Sequence, residues 1–123
     1  MTIGKSVPLV DSNWKVTGQA EYGDDIRLQG ELVGKILRSP HHYALIKSID
    51  TSAAEAMDGV FAVATGQDSV NKFGVLPVTK DEHAMAQDKV RHVGDLVACV
   101  CAIDEATAIE AMNAIIVDYE VLP

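Results

Sequence analysis

The sequence predicts an α+β (mixed α/β) domain, a mixed sheet with two helices packed on it. Three observations carry this. Short apolar runs separated by turn residues recur along the chain, as strands do. Two helix-start signals, at Ser52 and Asp104, each lie between such runs. Nearly half of the 123 residues are hydrophobic, enough for one core at the commonest domain size. The element order is strand, strand, helix, strand, long connection, strand, strand, helix, strand.

Residues 1–14 read as an N-terminal arm and residues 15–123 as the folded domain. Trp14 to Gly18 is a short extended piece closed by glycine, and Ala20-Glu21-Tyr22 is a further fragment. Gly23-Asp24-Asp25 is a solvated turn, because a calcium loop needs several more oxygen ligands at regular spacing. Leu32 to Leu37 is the first full strand. It breaks at Ser39-Pro40-His41-His42, since proline biases its predecessor away from helix. Ala44 to Ile49 is the second strand. Ser52-Ala-Ala-Glu55 has the spacing of a capping box. Asp58-Gly59 ends that helix, glycine taking the left-handed C-terminal conformation. Val60 to Thr65 is apolar throughout, the pattern of a strand buried on both faces.

Gln67 to Gln87 lacks periodicity and reads as a long connection holding one short strand, Phe73 to Val78. Loops of this length in a compact domain are functional or packed on a partner. Lys89 to Val93 is a strand, Gly94-Asp95 a turn, and Leu96 to Ile103 the most apolar, central strand. Asp104 caps the second helix, with Glu105 in its first turn near the positive dipole end. Ile109, Met112 and Ile116 recur at helical spacing and are expected to face the sheet. Ile115, Val117, Tyr119 and Val121 alternate with Asp118 and Glu120, a strand with one wet face.

Ten basic against eighteen acidic residues give a net charge of −8. Phosphate-backbone binding needs clustered Lys and Arg, so nucleic acid is not an expected partner. No apolar run approaches the ~18 residues of a membrane span. No basic segment followed by an apolar one marks a secretory signal. Cys99 and Cys101, the two cysteines, fall two apart on one strand face and are expected as small buried hydrophobes. A zinc or iron–sulfur site needs about four such ligands. A reducing, cytoplasmic compartment fits.

The catalytic inventory is thin. Neither a glycine-rich phosphate loop nor a GxSxG nucleophile elbow occurs. His41 and His42 are adjacent in a turn, where neighbouring side chains do not naturally face one metal. Lys89 follows Asp88 as the modified lysine does in lipoyl-type carriers, but it begins a strand after a ragged loop instead of crowning a hairpin. It is expected to be an ordinary surface charge. No catalytic, cofactor-binding or metal residue is assigned.

The motifs Thr17-Gly18-x-Ala20-x-Tyr22, Arg38-Ser39-Pro40-His41, Gly59-Val60, Val93-Gly94-Asp95 and Asp118-Tyr119-Glu120-x-Leu122-Pro123 are specific in combination. In this order they resemble the N-terminal α/β hammerhead domain of the molybdenum hydroxylase large subunit, the xanthine dehydrogenase and aldehyde oxidase family. The tract from Phe73 to Asp95 is similar to the alpha subunit of 4-hydroxybenzoyl-CoA reductase. His42-Tyr43 stands where the family often has a small residue and histidine. Leu96 stands where it often has proline, and the two cysteines where alanine or valine is usual. The resemblance covers about Lys15 to Pro123.

The resemblance implies a non-catalytic hammerhead domain or split subunit of a molybdopterin-dependent oxidoreductase, not expected to be active as this chain alone. It implies molybdopterin cytosine dinucleotide, iron–sulfur clusters and FAD on other domains or subunits, which are the expected partners. Arg38, Ser39, Pro40, His41, His42, Tyr43, Phe73 and Leu76 are the candidate interface and substrate-channel residues, with Val75 and Pro77 beside them. A free-standing binding or assembly module with no redox role is the alternative, and a carrier or metal domain using Lys89 or the cysteine pair is a third class.

Overall fold

The most apolar run of the chain, Leu96–Ala102, is the middle strand of an antiparallel sheet, and the rest of its unit is built outward from it. A computed structural model describes residues 3–69, 71–76 and 78–123. It divides into two units, Met1–Glu31 and Leu32–Pro123. The first unit holds helix α1 (Ser12–Val16) and a single 3-10 turn (Gly23–Asp25). Trp14 to Val16 is therefore helical and not extended. The Thr17 amide and hydroxyl both return to the Asn13 carbonyl and close the turn. Gly23-Asp24-Asp25 is a turn as expected, with the Asp25 carboxylate accepting from the Tyr22 amide at 2.9 Å.

The second unit runs β1 (Val33–Arg38), β2 (Ala44–Asp50), α2 (Ser52–Glu55), β3 (Val60–Thr65), β4 (Lys72–Phe73), β5 (Glu82–His83), β6 (Lys89–Val90), β7 (Leu96–Ala102), α3 (Glu105–Ala114) and β8 (Ile116–Val121). The α+β class stands, but the strands do not form one mixed sheet. Among the described residues every pairing is antiparallel: β1-β7-β3, β6-β2-β8 and the ribbon β4-β5.

Register explains what is buried. Ala98, Val100 and Ala102 of β7 lie opposite Leu37, Lys35 and Val33 on one side and Thr65, Val63 and Val60 on the other. Directly opposed residues share a face, so this is the inner face. Ala98 and Val100 are fully buried there with Ala54 of α2, Ala111 of α3 and Ile115. Lys35 stays on this face because its stem runs to the edge, where its ammonium meets Glu105 at 2.6 Å. The opposite face carries Gly34, Ile36, Ala62 and Ala64 around Cys99 and Cys101. Both thiols are accordingly half-buried and not fully enclosed. A second core cluster joins Ala44, Val90 and Ala86 to Val97.

Several expectations change in detail. The capping box does not form. The Asp50 carboxylate takes both the amide and the hydroxyl of Ser52, and Glu55 instead accepts from Thr51 Oγ1 at 2.6 Å. Helix α2 stops at Glu55, and Gly59, at φ +85°, lies beyond a further turn. β3 is an edge strand, not one buried on both faces, and a bulge between Val60 and Ala62 leaves Phe61 65% exposed. On α3 the buried positions are Ala108 and Ala111, with Ile115 just past its end. Ile109 is 39% exposed and Ile116 68%. Small residues let the helix approach the sheet closely; of the three expected to face it, Met112 packs against the core as expected, while Ile109 and Ile116 do not. The Asp104 cap is made as expected, accepting from the Thr107 amide at 2.8 Å.

The packing is tested at two places. A Cβ at residue 66 would lie 2.2 Å from the Ala86 carbonyl oxygen, whereas one at residue 34 would meet nothing nearer than 4.0 Å. Gly66→Ala is expected to destabilise by about 1–3 kcal/mol, as overpacking does, and Gly34→Ala by much less, read from urea midpoints. Cys99 and Cys101 are expected to label with a thiol reagent without denaturant, more slowly than a free cysteine. Inert thiols in the native chain would contradict the assignment of their sheet face.

Candidate interface site

The candidate residues Arg38 to Tyr43 form the turn between β1 and β2, and backbone bonds fix where it sits. The Ser39 amide donates to the Asp95 carbonyl at 2.9 Å, and the Gly94 amide donates back to the Ser39 carbonyl at 2.8 Å. Arg38 Nη1 donates to the Gly94 carbonyl at 2.9 Å. The Arg-Ser-Pro-His and Val-Gly-Asp motifs are thus two halves of one structure. Gly94 can close it because it sits at φ +89°, a conformation open to glycine. Ser39 is a buried polar residue, 2% exposed. Its hydroxyl donates to the His41 carbonyl and accepts from the His41 amide, both at 3.0 Å, so its burial leaves little unpaired.

This turn presents a graded surface. The His41 ring stands edge-on against Tyr119, centroids 4.9 Å apart, while Pro40 and His42 are exposed. Tyr43 is half-buried. Its carbonyl accepts from the Leu122 amide at 3.0 Å, and its phenol oxygen from Lys89 Nζ at 2.9 Å. Lys89, expected as an ordinary surface charge, is half-buried and hydrogen-bonded. β6 ends at Val90, short of Val93, because the Arg91 amide turns to the Asp95 carboxylate at 2.9 Å.

The connection from Gln67 to Gln87 is tied at its base. Gln87 Nε2 donates to the carbonyls of Gly66 and Ser69, and Gln67 Nε2 donates to the Gln87 carbonyl. Asp68 accepts from the Thr65 amide at 2.7 Å, a bond that holds its carboxyl below the usual carboxylate range. The strand expected over Phe73 to Val78 is only Lys72–Phe73, paired with Glu82–His83. Beyond it Phe73, Val75 and Leu76 stand 50%, 88% and 60% exposed. Pro77 lies outside the described residues.

A cleft of about 460 Å³ beside the ribbon is lined by Lys72, Asp81, Glu82, His83, Arg91 and Asp95 among others. None of the candidate residues lines it. His83 Nδ1 is buried there with no partner among the described residues, a feature the sequence did not signal. No three His, Cys, Asp or Glu side chains converge to hold a metal among the described residues. Those residues therefore supply no iron–sulfur ligand set. Among the described residues no helix is long and apolar enough to cross a membrane.

Comparison with known proteins places the chain. Residues 17–123 match the aldehyde oxidase and xanthine dehydrogenase α/β hammerhead domain model, and the chain belongs to that family. It is 42% identical over 114 residues to a probable xanthine dehydrogenase component of Bacillus subtilis, covering 91% of this chain and 15% of that one. It is 43% identical over 109 residues to the carbon monoxide dehydrogenase large chain of Afipia carboxidovorans, covering 86% and 14%. The solved quinoline 2-oxidoreductase of Pseudomonas putida superposes with a TM-score of 0.87 at 35% identity, over 100% of this chain and 17% of that one. The chain thus spans about a seventh of the length of the first two relatives.

The two ordered phenols of the site are expected to titrate apart. The Lys89 ammonium, bonded to the Tyr43 oxygen, holds that phenol below its ordinary value, and Arg91 adds to the effect. Burial pushes the Tyr119 phenol up, with the Asp95 charge adding to it. The Tyr43–Lys89 bond favours the ionised phenol. Its contribution grows only as pH rises through the lowered folded value toward 10.0. NMR titration of ring carbons should show Tyr43 ionising before Tyr119. Lys89→Met should raise the Tyr43 value, and an unchanged value would contradict the bond.

Proposed function

We propose that this chain serves as the non-catalytic hammerhead module, as a domain or a split subunit, of a molybdopterin-dependent oxidoreductase, resembling the alpha subunit of 4-hydroxybenzoyl-CoA reductase. Its role is to seat the other domains or subunits and to help form the substrate channel. Molybdopterin cytosine dinucleotide, iron–sulfur clusters and FAD belong to those other parts. Residues 15–123 act as the module and residues 1–14 as an arm.

One observation carries the reading. The exposed apolar residues Phe73, Val75 and Leu76 project from a connection tied at its base. A connection anchored this firmly has no need of exposed apolar groups for its own fold. Apolar patches on a soluble surface mark contacts. Arg38, Ser39, Pro40, His41, His42 and Tyr43 form the ordered rim of the contact, and Phe73 and Leu76 its apolar part.

Hydrogen exchange on the isolated chain tests this. Amides of residues 67–87 are expected to exchange well ahead of those of Leu96 to Ile103. Equal protection would mean that the connection covers its own apolar groups, and would sink the interface reading. The purified chain is also expected to carry no molybdenum, iron or flavin. Stoichiometric molybdenum by elemental analysis would overturn the non-catalytic assignment.

A further inference from the structure

We infer, independently of the interface reading above, that Cys99 and Cys101 form a two-thiolate site for a soft, two-coordinate metal ion, copper(I). Both thiols are free and half-buried. The register sets both on the outer face of β7, opposite to the face where Ala98 and Val100 pack with α2 and α3.

Their spacing suits a metal ion and not a disulfide. An antiparallel strand advances about 3.4 Å per residue, so the two Cα atoms, and the side chains that stand side by side on them, are about 6.8 Å apart. A disulfide needs the Cβ atoms about 3.8 Å apart. Closing that gap would bend β7, which is hydrogen-bonded along both edges. An ion closes it with the strand left straight. Two metal–thiolate bonds of about 2.3 Å set in line span about 4.6 Å, so each sulfur leans only about 1 Å toward the other.

The surroundings select the ion. Gly34 and Ala62 lie directly opposite Cys101, and Ile36 and Ala64 opposite Cys99. None of the four has a nitrogen or oxygen on its side chain. Zinc closes a tetrahedral shell of four ligands. Among the described residues no three His, Cys, Asp or Glu side chains come together to begin such a shell. Thiolates without a harder partner select copper(I). The neighbours also leave room. A Cβ at residue 34 would meet nothing nearer than 4.0 Å, so the space beside Cys101 is open. Gly34 and Ala62 are exposed, which gives an ion a way in. Binding moves no electrons. Each thiol releases its proton to solvent, two sulfur–copper bonds form, and the product carries a single negative charge.

The test titrates the reduced 123-residue chain with copper(I), without oxygen and in competition with a chromophoric copper(I) chelator. One copper(I) per chain is expected, with two sulfur neighbours and no nitrogen or oxygen neighbour by X-ray absorption. Cys99→Ala and Cys101→Ala keep a small residue among small ones, so each variant should fold. Each should weaken binding by more than about 100-fold, beyond what a change outside the ligand shell costs. Copper(I) should raise the Tm of the native chain and leave that of the double variant Cys99→Ala/Cys101→Ala unchanged, because the folded strand sets the spacing. A lowered Tm would assign the ion to the unfolded chain and overturn the inference. So would one copper(I) retained by the double variant, a nitrogen or oxygen neighbour, or zinc bound as tightly as copper(I). Half an equivalent per chain, with dimers formed, would overturn it in favour of a site shared between two copies.

Discussion

Strand β7 is hydrogen-bonded along both edges, and the rest of the Leu32–Pro123 unit depends on that. Its inner residues Ala98, Val100 and Ala102 are fully buried. They are small because α2 and α3 pack over them through alanines of their own. Nothing in that layer can grow without separating helix from sheet, since protein interiors are already close-packed. The same ladder continues past the bulge at Leu37/Arg38 as the reciprocal bonds of Ser39 with Gly94 and Asp95. The candidate site is therefore an extension of the central strand pair, placed by backbone geometry before any side chain is considered.

This placement explains how a turn can serve as a rigid rim. Ser39 is buried and bonded, His41 rests on Tyr119, and Tyr43 is held at its carbonyl and at its hydroxyl. The connection from Gln67 to Gln87 is different in kind. Its base is fixed by two glutamines, and Phe73, Val75 and Leu76 face outward. The proposed docking role draws on both: a fixed turn orients, and outward apolar groups supply area.

The elements with long apolar runs or strong caps were readable from the sequence: β1, β2, β3, β7, the Asp104-capped α3 and β8. Failures arose where several local partners compete. Asp50, two residues before Ser52, accepts the Ser52 amide that the expected capping box gives to Glu55, and Glu55 accepts from the Thr51 hydroxyl instead. The run Val60 to Thr65 looked buried on both faces, yet a bulge turned Phe61 to the surface. Large residues at helical spacing pointed to Ile109 and Ile116 as core, whereas close packing chose Ala108 and Ala111. At the site, Arg38 to Tyr43 could be singled out through the family motifs. Lys89 could not, since its tie to Tyr43 joins positions 46 residues apart. The pairing of Arg-Ser-Pro-His with Val-Gly-Asp is equally non-local, and no window of sequence carries it.

The central claim is that the site turn belongs to the β1–β7 ladder. Native-state exchange of individual amides tests it most directly. The Ser39 and Gly94 amides should open together with the β7 amides, such as Val100, in one cooperative unit. Exchange of Ser39 and Gly94 at the rate of the exposed residues near Leu76, with Val100 still protected, would show a turn that moves independently of the strand, and would contradict the account.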